Sequence, residues 1–288
     1  MPELIFGTAA LGSAYGVSNG LNAILEQDAA KVLRFSQEIG INAFDTAPAY
    51  GKAEEYIGKY LDGELYPKIS TKISSQKMQT SRTLIEAVKD SLERLHCHQI
   101  ENLFLHDPAN LQELNLKEVQ IGLQELLDVG IIKGVGVSVY DLKSIFQVLE
   151  VLPQITVFQV PENVCDQRLL NSNEIMDLSL NGSRFIVRSV FLQGLLLMNP
   201  VRIPANLHGA RAAIERLNTL SQELNCSTLD LCLNYARKIP WASGVIVSAL
   251  TCEQLREIAD STTLLPEDWH KNTIILSEEL LDPRRWES

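Results

Sequence analysis

The sequence predicts a single-domain α/β protein, a (β/α)8 TIM barrel, on three observations. Short runs rich in Val, Ile and Phe alternate with amphipathic stretches of helix length from one end of the chain to the other. Eight such runs can be read. No Ser-, Gly- or Pro-rich linker breaks the alternation, so the 288 residues read as one domain. Eight strands buried on both faces close most economically into a parallel barrel without an open edge, and such barrels carry their reactive groups on the loops after the strands.

The first run, LIFGTAAL (4–11), leads into the glycine-rich loop GSAYGVSNG (12–20). Its Tyr15 either lines a pocket above the strand or sits on a surface turn. In EQDAAKVLRFSQEIG (26–40), Ala29, Val32, Leu33 and Ile39 carry the apolar positions of a helix that stops at Gly40. The second run, NAFDTA (42–47), ends at Asp45, and Tyr50 follows beyond a proline that restricts the loop. KISTKI (68–73) contains Lys72, and SRTLIEAVKDSLERL (81–95) is a helix with Ser81 as its expected cap. NLFLHD (102–107) ends in His106 and Asp107, and LKEVQIGLQELLDVG (116–130) is a helix stopping at a glycine. KGVGVS (133–138), TVFQVP (156–161), RFIVRSV (184–190) and GVIVSA (244–249) complete the strands. Residues 192–207 and 262–288 exceed minimal loops and are expected to form walls or a lid, with Trp269 and Trp286 either capping the mouth or packing inward. The first run begins at residue 4, so the barrel floor is expected to be closed by side chains or by a partner chain.

Composition narrows the class. Apolar residues at 45% and charged residues at 21% are those of an ordinary globular chain. A net charge of −11 with no Lys/Arg run argues against a nucleic-acid partner while permitting a local basic pocket. Five scattered cysteines, Cys97, Cys165, Cys226, Cys232 and Cys252, form no CxxC pair and read as free thiols of a cytoplasmic protein. Neither a leader nor an apolar stretch of roughly 18 residues is found, so no membrane partner is expected.

Asp45, Lys72 and His106 fall at strand ends, with Tyr50 in the adjoining loop. A tyrosine of ordinary pKa, about 10, donates its proton reluctantly at neutral pH, and a nearby ammonium eases that by stabilising the phenolate. Lys72 is suited to supply the ammonium, Asp45 to keep it charged and fixed, and His106 to orient a carbonyl beside the tyrosine hydroxyl. Tyr50 would then protonate the carbonyl oxygen as hydride reaches its carbon.

FDTAPAYG, STKI, LFLHDP, GVGVSVYD and FQVPEN resemble, in order, the strand-end motifs of the aldo-keto reductase family over almost the whole chain. The resemblance implies a barrel that reduces carbonyls with a nicotinamide cofactor, usually NADPH, with NADH possible here. It carries over Asp45, Tyr50, Lys72 and His106 as the catalytic tetrad. Toward the cofactor it implies Gly7 and Thr8 at the first strand's end, a glycine there being equally suited to tight packing. Ser138 and Gln159 match the nicotinamide-carboxamide contacts, although Val139 stands where the family often has asparagine. Arg188 and Ser189 stand where an aromatic usually stacks on the ring; Arg188 either stacks, pairs with phosphate, or forms a buried ion pair. FLQGLL, with Gln193 and Gly194, resembles the loop whose backbone passes beneath the pyrophosphate. Beyond the eighth strand Ser248, Ala249 and Gln254 occupy adenosine-side positions where relatives carry basic residues, Ile258 replaces an asparagine, and Arg256 is the nearby cation. Backbone N–H groups at the following helix start are the expected substitute for the missing cations.

YGVSNG, DQR (166–168) and RSVFLQGLLL resemble a bacterial branch linked to surface-polysaccharide or sugar metabolism, which implies a sugar-like carbonyl as the small-molecule substrate. The expected assembly is a monomer or small homo-oligomer. Two other readings stay open: a cofactor-binding sensor barrel with little turnover, and a metal-dependent hydrolase using His106, Asp107 and Asp45. Against the latter, His96, His98, His208 and His270 do not fall at strand ends.

Overall fold

Eight parallel strands close on themselves in chain order: β1 (Glu3–Gly7), β2 (Ala43–Asp45), β3 (Lys68–Ile73), β4 (Ile100–Leu105), β5 (Ile132–Ser138), β6 (Ile155–Pro161), β7 (Arg184–Arg188) and β8 (Ala242–Val247). β1 pairs with β8 through Ile5 and Ile246, which completes the ring. The computed structural model describes residues 1–17, 24–61, 67–106 and 114–286. The outer layer comprises α2 (Glu26–Glu38), α3 (Ala53–Tyr60), α4 (Ser81–Leu95), α5 (Leu116–Asp128), α6 (Leu142–Val151), α7 (Asn173–Leu180), α8 (Arg211–Glu223), α9 (Thr228–Arg237) and α10 (Cys252–Asp260), with short turns α1 (Ala9–Gly12) and α11 (Glu278–Leu281).

Side chains alternate in and out along each strand. Outward Phe6, Phe44, Leu103, Val135, Phe158, Phe185 and Val187 join the large core against the helices. Inward Ile5, Ala43, Phe104, Val157 and Ile186 form a separate apolar plug. The same parity, continued toward the carboxyl ends, turns Gly7, Asp45, Lys72, His106, Ser138, Gln159, Arg188 and Ser248 toward the barrel mouth. Below the plug, Asn102 donates to Ser70 Oγ at 2.9 Å and Arg184 to Asn102 Oδ1 at 2.5 Å, so side chains occupy the floor.

Two local expectations are corrected. The run LIFGTAAL is strand only to Gly7; Thr8 then places its N–H and hydroxyl on the Asp45 carbonyl at 2.9 and 3.0 Å, and the chain coils into α1. The cap of α4 is Thr80, not Ser81. Thr80 has the extended backbone a cap needs, and Thr83 completes a reciprocal capping box. Ser81, the first helical residue, instead binds Glu118 of α5 through its N–H and hydroxyl, both at 3.0 Å.

Candidate active site

Asp45 ends β2 and Lys72 lies on β3, 5% and 4% exposed respectively. The Lys72 ammonium donates to Asp45 Oδ2 at 2.5 Å and to the Thr46 carbonyl at 3.1 Å. Burial alone would push the Lys72 pKa down and is the largest single influence; Asp45 and Tyr50 together outweigh it, so the net shift is upward and the lysine stays charged. The other carboxylate oxygen of Asp45 accepts from Gln159 Nε2 at 2.5 Å. Asp45 is thus held from two strands, a contact no spacing in the sequence revealed.

Tyr50 owes its place to a turn in which its N–H donates to the Ala47 carbonyl at 2.9 Å, with Pro48 at the position where proline's fixed φ suits the turn. Beside it the chain passes glycine against glycine. A Cβ on Gly12 would collide with the Tyr50 carbonyl, and one on Gly51, at φ +60°, with the Gly12 carbonyl. The Tyr50 ring centre lies 5.0 Å from the Lys72 ammonium and 6.0 Å from the His106 ring, edge to face at 89°. Asp45, Tyr50, Lys72 and His106 therefore converge on one cavity of about 1190 Å³.

That cavity is also lined by Gly7, Ser138, Gln159, Arg188, Ser189, Gln193, Gly194, Ser248, Ala249 and Gln254, leaving Thr8 as the one anticipated residue outside its wall. Thr8 is fully buried and braces the Asp45 backbone instead. Gly7 lines the cavity and is also packed: a Cβ there would approach Ile246 to 2.8 Å. Arg188 donates to Ser189 Oγ at 3.2 Å and to the Val139 carbonyl at 3.3 Å, while its buried Nε has no partner. Among the described residues it forms no ion pair.

The loop after β7 is held in the left-handed region at Ser189 (φ 62°), Leu192 (φ 47°), Gln193 (φ 55°) and Gly194 (φ 87°). Non-glycine residues there cost on the order of 1 kcal/mol or more each, and such strain gathers at ligand sites. Val17 N–H donates to the Gln193 carbonyl at 3.2 Å, tying the β1 loop to this wall.

At the far end Ser248 Oγ donates to the Gly7 carbonyl at 2.6 Å, and Gln254 Oε1 accepts the Leu250 N–H at 2.8 Å. Thr251 caps α10, with acidic Glu253 in the first turn. The helix start anticipated as a phosphate cradle is therefore already partly satisfied by its own side chains. Arg256 turns away, its guanidinium 4.8 Å from the Phe35 ring, whereas Glu257 lines the cavity.

Tyr15 lines the cavity and is 41% exposed as a whole residue, yet its hydroxyl is pushed up to about 12, first by desolvation and then by Tyr50. Trp269 packs inward, donating to Asn234 Oδ1 at 3.0 Å, and Trp286 donates to the Leu280 carbonyl at 3.2 Å. The tail instead gives the cavity Pro283 and Arg284. The Tyr140 ring has the Arg284 guanidinium 3.7 Å from its centre and that of Arg188 at 4.2 Å. Sequence reasoning missed this cluster, although Tyr140 lies two residues beyond Ser138.

It also missed Glu162, fully buried after β6, which accepts from Tyr235 at 2.5 Å and from the Leu169 N–H at 3.1 Å. Burial, the largest influence, pushes its carboxyl up to about 8. Among the described residues no three His, Cys, Asp or Glu side chains gather as a metal-ligand set, and Asp107 lies outside those residues. Nor is any described helix long and apolar enough to cross a membrane.

The profile of the Aldo/keto reductase family matches residues 3–275. The chain is 26% identical over 299 residues to L-galactose dehydrogenase of Arabidopsis thaliana, covering 96% of this chain and 90% of that protein. It is 24% identical to D-arabinose 1-dehydrogenase of Saccharomyces cerevisiae, with 83% and 78% covered. Among solved structures, the holo form of the aldo-keto reductase AKR11C1 from Bacillus halodurans superposes with a TM-score of 0.74 at 21% identity, covering 97% and 95% of the two chains.

Proposed function

The chain belongs to the aldo/keto reductase family and is an oxidoreductase of carbonyl compounds, and from that premise we propose an NAD(P)-dependent enzyme that interconverts a small, sugar-like carbonyl and its alcohol, with Tyr50 as the general acid. The observation that carries the reading is the ion pair of Asp45 and Lys72 buried beside Tyr50 in the cavity that His106 also lines. Tyr50 donates its proton to the carbonyl oxygen, and the Lys72 ammonium stabilises the charge that remains on the phenol oxygen. Asp45 keeps that ammonium charged and, bonded to Gln159, in place. His106 orients the carbonyl across from Tyr50.

The cavity suits a dinucleotide. At about 1190 Å³ it exceeds the roughly 1000 Å³ upper range of ordinary small-molecule pockets. Ser138 and Gln159 are suited to the carboxamide, the Ser189–Gly194 loop to the pyrophosphate, and Ser248, Ala249 and Gln254 to the adenosine end. Bound there, a reduced nicotinamide supplies the hydride that reaches the carbonyl carbon. The sugar-dehydrogenase relatives support a sugar-like substrate. The reading is of a cytoplasmic monomer or small homo-oligomer.

The test is Tyr50→Phe, with NADH and NADPH titrated by fluorescence and an aldose panel assayed in both directions. Binding is expected to persist while turnover falls about 10²- to 10⁴-fold. Unchanged turnover would remove Tyr50 as the acid.

A further inference from the structure

We propose that Arg188 makes the cavity discriminate between the two charge states of a bound nicotinamide, favouring the neutral reduced ring over the cationic oxidised one. The inference deepens the reading above and rests on it. Its starting point is a local charge: the carboxylates of Asp141, Glu150 and Glu257 also line the cavity, but none of them forms an ion pair with Arg188. Lys72 is neutralised by Asp45 at 2.5 Å and Arg284 by Asp282 at 2.8 Å. Arg188 has no such counterpart: Ser189 and Val139 offer it neutral acceptors, Tyr140 offers a ring face, and its buried Nε meets no acceptor. Among the described residues no carboxylate lies within ion-pairing distance of it.

The position of that charge matters as much as its sign. Arg188 ends β7 on the inward parity and pairs in register with Pro161, two residues beyond Gln159. Gln159 in turn binds Asp45 at 2.5 Å. The Tyr15 hydroxyl feels Arg188 together with Tyr50 and Asp45, so the guanidinium is within electrostatic reach of the reacting end. A ring that exchanges hydride with a carbon held at Tyr50 and His106 has to lie in this part of the cavity.

When the ring gives up hydride it gains a unit positive charge. Two unit charges about 10 Å apart at a near-surface dielectric interact strongly enough to change an affinity on the order of tenfold. A guanidinium face can lie against either form of the ring, but that contact does not cancel the repulsion of the oxidised one. Tenfold tighter binding of the reduced form makes the bound two-electron couple about 30 mV more positive. Alcohol oxidation would then be favoured: an oxidised nicotinamide bound there would take up the hydride released as the carbinol C–H bond breaks, and Tyr50, as the phenolate held beside the Lys72 ammonium, would take the hydroxyl proton.

The experiment is equilibrium titration of the full chain with NAD⁺ and NADH separately, and with NADP⁺ and NADPH, for the wild type, Arg188→Lys and Arg188→Met. The wild type is expected to bind the reduced form at least about tenfold more tightly. That preference should persist in Arg188→Lys and collapse toward parity in Arg188→Met. A wild-type preference near unity, or one that Arg188→Met leaves intact, overturns the inference while the reductase reading stands. A wild-type ratio near unity decides against the inference even where a variant does not fold, and Arg188→Lys and Arg188→Met are two independent chances of a folded variant that assigns the preference to the guanidinium. Failure of the wild type to bind any dinucleotide sinks the reductase reading and this inference with it.

Discussion

Replacing Lys72 by Met removes one half of a buried ion pair and leaves the other half behind. Asp45, 5% exposed, then keeps only the Gln159 amide on one oxygen, and the Thr46 carbonyl loses its donor as well. Breaking a buried pair by deleting one partner costs about 3–5 kcal/mol, chiefly because the surviving charge is stranded. For a chain of this size about 2 °C of Tm accompanies each kcal/mol, so thermal unfolding should move down by about 6–10 °C. Adding Asp45→Asn removes the stranded charge, and the double variant should recover most of the loss. Activity should follow a different course, falling on the order of a hundredfold in the single variant and staying low in the double, since neither has an ammonium beside Tyr50. Differential scanning fluorimetry and single-turnover kinetics on the three proteins suffice. A double variant less stable than the single would refute the stranded-charge account. Recovered activity in the double would refute the role assigned to Lys72.

Glu257 lines the cavity together with Ala249 and Gln254, the end proposed for adenosine, so Glu257→Arg should shift the ratio of NADPH to NADH affinity toward NADPH by about tenfold, measured by titration. No shift would mean that the ribose lies elsewhere. Glu162 holds in the fold a proton that the unfolded chain releases near 4.5, so its contribution to stability is full below pH about 4.5 and lost as pH rises through about 8. Glu162→Gln, which cannot ionise, should flatten that part of the Tm-against-pH curve, and parallel curves for the two proteins would contradict the buried, protonated carboxyl.

Much of the barrel was legible in the sequence because its signals are local. Strand runs, their order and the glycine stops depend on backbone preference and periodicity, and KISTKI matches β3 residue for residue. Asp45, Lys72 and His106 were legible for a related reason, since a side-chain period of two at strand ends decides which residues face the mouth, whereas Tyr50, in the loop after β2, was assigned through the motif resemblance. Even so, the choice between Thr80 and Ser81 as cap went to whichever residue Thr83 could reach back to, a matter of backbone angles that two neighbouring hydroxyl residues leave undecided.

What only the tertiary structure decided are the partners of long side chains. Gln159 reaches Asp45 across 114 positions of sequence, Arg188 settles on Tyr140 with no counter-charge among the described residues, Arg256 turns to Phe35, and Trp269 turns inward to Asn234. Such side chains have several rotatable bonds and several acceptors within reach. Which one each takes depends on the packing of elements distant in sequence. By itself the sequence determined that this chain closes a barrel and presents Asp45, Tyr50, Lys72 and His106 at one end of it. The closed barrel decided which of the surrounding charges are paired, because pairing requires an opposite charge to be brought within a few ångströms in space, from elements distant in sequence.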